Sequence, residues 1–395
     1  MVTQTQRRHD LDWLRVFAIL SVFLFHSTRF FDHWFWHVKN PVTYDSATLF
    51  QSFMVVWMMP FVFLISGASI FYAMNKGGAG AFFKDKALRL LVPLTVAVFT
   101  YAPLQVYLER ITHGQFSGSF FAWLPHYFEG VYLGDGSAGN FAFVGMHMWY
   151  VFFLLLYIVI FYPLFRWMKG SGRAALEKIA NVIASPWTSW LVLAFPILTL
   201  HLFVSDTDWE AGSGGWPFLY YPFFLIYGFI IASSERLQTN LKRMRWYNLA
   251  VGAFFTATYI ILLAFPALDA LEDALADMFW ILSACTLLPV FLGFGMQHLN
   301  FTNPFHKYAS EAVMGFYILH QTVLLVIGYF VVNWAISDFS KWAIIFVSSF
   351  IVIMAIYEFL IRRVNVVRWL CGMKPQTRPA VARSGEAVLA GEKSR

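Results

Sequence analysis

The stretch Leu11–His26, LDWLRVFAILSVFLFH, decides how the chain is read. The apolar run continues to Phe31, which supplies the roughly 20 residues a helix needs to cross a bilayer core. Yet it carries Arg15 near one end and His26 toward the other. Eleven positions separate them. At 3.6 residues per turn this comes within roughly 20° of a whole number of turns, so both side chains share a face, about 16 Å apart along the axis. Asp12, three residues before Arg15, is placed to pair with it. A bland reading has Arg15 as an interfacial anchor and His26 bonded to a neighbouring helix. The shared face weighs against it, because ionisable groups inside a span are costly and commonly functional. An imidazole suits general-base work on a hydroxyl near neutral pH, and a guanidinium suits a phosphate or a polarised carbonyl.

The remainder of the chain has the same character. Apolar residues make up 59% of the 395 and charged residues 13%, against roughly 25% charged in soluble domains. Mean hydropathy is +0.60, and aromatics reach 20%, which fits large lipid-facing and interfacial surfaces. Two cysteines, Cys285 and Cys371, are too few and too scattered for a disulfide framework or a metal cluster, and no metal site is expected. The run after Arg7 and Arg8 is too long for a signal peptide, contains His26 and lacks a small-residue cleavage site, so it reads as a retained first span.

Apolar stretches recur at about 11–31, 49–74, 87–108, 146–165, 187–204, 217–234, 246–266, 274–297, 311–333 and 341–361. They predict an all-α polytopic bundle of about ten transmembrane helices. Period-2 alternation is absent, which argues against a membrane β-barrel. Pro60, Pro93, Pro103, Pro196 and Pro222 fall inside spans, where neighbouring groups can satisfy the freed backbone. With the N-terminus placed in the cytoplasm, all of the 28 Lys and Arg except Arg29, Lys39, Arg110 and Lys341 fall on the inner side. This positive-inside bias requires an even number of spans and a cytoplasmic C-terminus. It also accounts for the net charge of +6 without a nucleic-acid partner. The outer connections 205–216 and 267–277 are acidic, and 109–145 is rich in Gly, Ser and aromatics with His113 and His126. The tail from about 373 has the composition of a disordered end. No fixed-period repeat supports an inverted-repeat transporter.

Further segments carry candidate chemistry. MMPFVFLISGAS (58–69) places Ser66 beside Gly67 in the second span; helix packing is its plainer reading. KDKALRLLVP (84–93) sets Lys84, Lys86 and Arg89 at the inner mouth of the third span, as an orientation signal or a phosphate site. HMWYVFFLLLY (147–157) brings His147, Trp149 and Tyr150 to the start of the fourth span, and EAVMGFYILHQ (311–321) puts Glu311, Tyr317 and His320 in or beside the ninth.

Taken in order, these segments resemble the acyltransferase-3 family of integral membrane acyltransferases. LDWLRVFAILSVFLFH is similar to its arginine-x10-histidine signature, PFVFLISGAS to its second-span motif and KALRLLVP to its basic inner-loop motif. HMWYVFFLLLY and GFYILHQ resemble its His-x-Trp and late-span His segments. Within the family, LDWLRVFA, MMPFVFLISG and HMWY look most like the glucan-biosynthesis protein C subgroup, whose members succinylate osmoregulated periplasmic glucans. Val16 stands where many members have Gly, Ser27 where a second His is common, and Lys86 where Arg is frequent.

The resemblance implies a multi-pass protein of the bacterial cytoplasmic (inner) membrane, organised as an N-terminal tail (1–10), a membrane acyltransferase domain (11–361) and a cytoplasmic tail (362–395). It implies acyl-CoA, succinyl or acetyl, as donor substrate with no permanently bound cofactor. The acceptor is then a hydroxyl of a cell-envelope carbohydrate. It carries over Arg15 and His26 as essential, and Lys86 and Arg89 as the donor-side pair. The expectation is that Lys84, Lys86, Arg89 and Arg15 hold the donor while His26 acts as base. Ser66, His147, Trp149, Glu311, Tyr317 and His320 are then substrate-side candidates. Direct transfer and an acyl-His intermediate both remain open. A carbohydrate or lipid transporter is the competing class; it has no reason to bind acyl-CoA.

Overall fold

The computed structural model describes residues 8–75, 77–134, 136–185, 187, 189–204, 218–265 and 269–376. Apart from an isolated bridge between Val131 and Phe141, the regular structure among these residues is helical. Eight helices are long and apolar enough to cross a membrane: α1 (His9–Thr28), α2 (Asp45–Ala73), α3 (Ala79–Thr112), α4 (Trp149–Lys169), α9 (Arg245–Ala264), α10 (Asp269–His298), α11 (Pro304–Val331) and α12 (Asp338–Ile361). Two shorter apolar helices, α6 (Ser189–Phe203) and α7 (Tyr221–Ser233), complete the bundle. Two amphipathic helices, α5 (Arg173–Ile183) and α8 (Glu235–Arg243), connect spans. The chain is a polytopic membrane bundle, and each apolar stretch of the sequence overlaps one of these helices.

Boundaries move where polar turns extend a helix beyond its apolar part. α11 starts at Pro304 rather than 311, because Asn303 caps it, its Oδ1 accepting from the His306 N–H at 2.7 Å. A side-chain oxygen of this kind satisfies one of the donors a helix start leaves over. α3 contains a π-turn at Ala87–Leu91, just before Pro93. Pro93 has no N–H to offer the Arg89 carbonyl four residues back, and the backbone of Gly372 packs against that carbonyl.

Contacts between successive helices define two ends. At one, Arg8 bonds Tyr72 and Gln238, Lys169 bonds the Phe71 carbonyl and Trp13 bonds the Phe301 carbonyl. At the other, Thr112 donates to the His37 carbonyl, Asn40 to Asp338, and His33 meets Asp45. The four cations that the sequence assigns to the outer side gather at this second end. All four are ion-paired: Arg29 and Lys39 with Asp32, Arg110 with Glu109, and Lys341 with Asp338. At the first, basic-rich end, Lys84, Arg89, Arg166, Arg173, Arg236, Arg243 and Lys307 are exposed.

Gly67 on α2 and Gly228 on α7 let these helices cross backbone to backbone. A Cβ on Gly67 would collide with the Leu225 carbonyl, and one on Gly228 with the Leu64 carbonyl. The plainer reading of the Ser66-Gly67 pair therefore holds for the glycine: it is a packing site. Ser66, one residue away, faces another neighbour. Arg7, the acidic connection 205–216 and the tail beyond 376 lie outside the described residues.

Candidate active site

His26 sits in the last turn of α1 and points into the bundle, partly exposed. Its Nδ1 lies 2.8 Å from Nε2 of His320 on α11, the two ring planes within 10° of parallel. His320 is fully buried, and its Nδ1 lies 2.6 Å from the Tyr317 carbonyl. A carbonyl only accepts, so His320 Nδ1 carries the proton and its Nε2 accepts from His26 Nδ1–H. That order leaves a lone pair on His26 Nε2, with the ring held in one tautomer by its neighbour. A base oriented by a second group is the arrangement general-base catalysis needs. The indole of Trp36 covers the same imidazole, its centroid 5.3 Å away at 22°.

Behind this pair lies a buried polar network. His147 Nε2–H donates to the Ile318 carbonyl at 3.0 Å, and its Nδ1 accepts from Gln105 at 3.1 Å. Gln105 also donates to Thr322, and its own oxygen accepts from Gln321. Gln321 reaches His37, which bonds Glu109 at 2.5 Å; Tyr132 and Arg110 hold the same carboxylate. In a low-dielectric interior each of these groups is costly unless bonded, and each of these contacts bonds one. The ring nitrogens of His147 and His320 are committed to protein partners, so the cluster is a hydrogen-bonded one rather than a cation site.

Between His26 and Arg15 runs a file of polar side chains from α2, α4 and α11. The Tyr317 hydroxyl donates to the His147 carbonyl at 2.7 Å. The ring of Tyr150 stands edge-on to Tyr317, 6.1 Å between centroids. Ser66 Oγ donates to its own helix at Val62 and so accepts from the Tyr150 hydroxyl at 2.5 Å. One turn on, Ser69 Oγ accepts from Arg15 Nη2 at 2.9 Å, while Arg15 Nη1 pairs with Asp12 at 3.1 Å. A separate, nearly filled cleft of about 10 Å³ lies on the other side of α2, among Leu11, Leu64, Ala68 and Met296, with Arg8 beside it.

The remaining candidates fall elsewhere. Glu311 pairs with the buried Arg368 at 2.8 Å. It lies nine residues before His320, which puts the two on opposite sides of α11. Trp149 packs on Phe63 and Tyr221. Lys84 is exposed, Lys86 lies over the Phe82 ring at 5.4 Å and Arg89 pairs with Asp85 at 2.8 Å. These three stand around the π-turn of α3, Lys86 and Arg89 with local partners, while Arg15 bonds Asp12 and Ser69. Sequence reasoning did not single out Gln105, Glu109, Gln321, Trp36 or His37 as site residues. A signal was there for two of them: Gln105 and Glu109 are four residues apart at the outer end of the third span, hence on one helix face.

The chain belongs to the acyltransferase-3 family, whose acyltransferase domain matches residues 8–358. It is therefore an acyl-transferring enzyme, with an acyl donor and an acceptor as its substrates, and the transporter reading gives way. Over 387 residues it is 23% identical to the glucans biosynthesis protein C of Escherichia coli K12, covering 94% of this chain and 95% of that protein. The proteins of the same name from E. coli O157:H7 and O9:H4 align with the same identity and coverage. No solved structure matches the chain.

Proposed function

We propose that the protein is an O-acyltransferase of the bacterial inner membrane, moving a succinyl or acetyl group from cytoplasmic acyl-CoA to a hydroxyl of a cell-envelope carbohydrate. What supports this reading above all is the His26–His320–Tyr317 carbonyl relay, joined by a polar file to Arg15. The basic-rich end receives the donor, its phosphates held by Lys84, Lys86 and Arg89 and its arm entering the bundle past Arg15. The acceptor approaches His26 from the opposite end, where Trp36 and the paired cations form the wall. The name of the E. coli relatives links them to glucan synthesis, so a periplasmic glucan is the first acceptor to test.

In the reaction, His26 Nε2 takes the proton of the acceptor hydroxyl as its oxygen attacks the thioester carbonyl. A C–O bond forms, the tetrahedral intermediate collapses with loss of the C–S bond, and the proton passes from His26 to the departing thiolate. Charge that develops on the carbonyl oxygen needs donors already in place. The Tyr150 hydroxyl, which donates to the Ser66 side chain rather than to backbone, is the one that can turn to it. The Tyr317 hydroxyl is held by the His147 carbonyl and the His320 Nδ1–H by the Tyr317 carbonyl, which favours a positioning role for both. An acyl-His26 intermediate is the variant of this route, and rapid quenching with donor alone would trap it as a mass increment on the helix α1 peptide.

The test uses detergent-purified protein with acetyl-CoA or succinyl-CoA and a glucan panel, read as mass shifts on the glycan. The unmodified chain transfers one of the two groups, and His26→Ala loses about 10²–10⁴-fold or more, the range of a general base. Equal transfer by His26→Ala would remove the assignment.

A further inference from the structure

The fold brings together a second group of ligand-type side chains, at the basic-rich end and away from the His26 cluster. His9 and Asp12 lie three residues apart on one face of the first turn of α1, and His306 lies in the first turn of α11. One ring nitrogen of each histidine and a carboxylate oxygen of Asp12 all fall within 4.8 Å of one another. His9 Nδ1 is buried and makes no hydrogen bond. His306 Nδ1 meets the Thr302 hydroxyl at 3.1 Å, and Arg15 holds Asp12 at 3.1 Å.

We propose that His9, Asp12 and His306 form a site for a divalent first-row cation, Zn²⁺ in the first instance. Two imidazoles and a carboxylate are a common zinc donor set, with a fourth position left for water. An outer partner on the ligand's second atom is the usual way such ligands are oriented. Thr302 stands in that place for His306, and Arg15 for Asp12. The surroundings are rigid enough to hold the geometry. The Trp13 ring lies 4.9 Å from that of His306, and its indole N–H bonds the Phe301 carbonyl, tying the turn before α11 to α1.

The ion would clamp the first turns of the two helices that carry His26, in the last turn of α1, and His320, just past the middle of α11. His26 is 17 residues from His9, about 26 Å along α1, so the ion takes no part in the acyl step. It sets the register of the helix pair, and its binding does not depend on which acyl group or acceptor the enzyme uses.

The experiment is a Zn²⁺ titration of chelator-stripped, detergent-purified full-length protein against a chromophoric competitor, with metal content read after desalting. One Zn²⁺ per chain binds, at submicromolar dissociation constant. His9→Gln and His306→Gln weaken it by more than about 100-fold, beyond the 10–100-fold that loss of an outer partner causes, which Thr302→Val shows instead. His26→Ala binds as the unmodified chain does. Absence of stoichiometric binding, equal affinity in His306→Gln, or loss in His26→Ala each overturns the proposal. Should the histidine variants fail to fold, Co²⁺ added to the unmodified chain decides: intense d–d bands of a four-coordinate ion support the site, and the weak spectrum of six-coordinate Co²⁺ refutes it.

Discussion

The two ends of this bundle treat positive charge in opposite ways. At the basic-rich end, Lys84, Arg89, Arg173 and Arg363 are exposed, and three of them pair with partly or fully exposed acids: Arg89 with Asp85, Arg173 with Glu177 and Arg363 with Glu358. At the opposite end Arg29, Arg110 and Lys341 are buried against Asp32, Glu109 and Asp338. Burial draws the Lys39 ammonium below the ordinary lysine range, its bond to Asp32 offsetting part of that. Exposed cations can turn toward an incoming polyanion at little cost. Buried, saturated ones are spent on tying down the connection 29–44 and the segment that follows α3. On the proposed function, the exposed cations would meet the donor and the buried, paired ones would frame the approach of the acceptor.

Breaking the buried end should have the largest effect. Glu109→Ala strands Arg110 and His37 without their carboxylate, and leaving one partner of a buried ion pair unmatched costs about 3–5 kcal/mol. The thermal midpoint of the purified protein should fall steeply. An unchanged midpoint would show that this network does not carry the outer end. Between the ends, His320→Phe keeps a ring beside His26 but removes the acceptor of its Nδ1–H. Transfer is expected to drop about 100-fold with the midpoint near that of the unmodified chain. A fall in stability with transfer per folded molecule intact would reduce His320 to packing.

Smaller effects sharpen the contrast. Tyr150→Phe removes the bond to Ser66 across the polar file. It is expected to cost about 1 kcal/mol of stability and to slow transfer several-fold through the lost oxyanion donor, seen in kcat rather than KM. At the basic end, Arg89→Ala should change stability by less than about 1 kcal/mol, as exposed pairs do. It should raise the KM for acyl-CoA several-fold and flatten its dependence on salt. A KM that ignores both substitution and ionic strength would place the donor elsewhere.

Much of the framework is legible in the sequence. Hydropathy located the helices because every backbone group in hydrocarbon must bond within its own segment, so span length and apolar content leave little choice. Charge asymmetry separated the four exceptional cations from the rest, and the structure finds those four at one end. Helical periodicity put Arg15 and His26 on one face. The same arithmetic, applied to Glu311 and His320, already separates them by half a turn, and Glu311 duly pairs with Arg368 instead. What stayed hidden were partners on different helices: nothing in HMWY says that His147 turns to Gln105, nor in SGAS that Ser66 meets Tyr150.

The sequence by itself determined a multi-span bundle, the distribution of its charge and a first helix with a cation and an imidazole on one stripe. Tertiary structure alone decided that His320 backs His26 and so leaves Nε2 with the lone pair. It also decided that the lysines beside Arg89 have their own local surroundings, and that His9, Asp12 and His306 converge. The physical reason is that periodicity fixes directions within one helix, where the backbone repeats. Which helices meet, and at what height, depends on how small residues such as Gly67 and Gly228 let them cross, and that is a property of the packed whole.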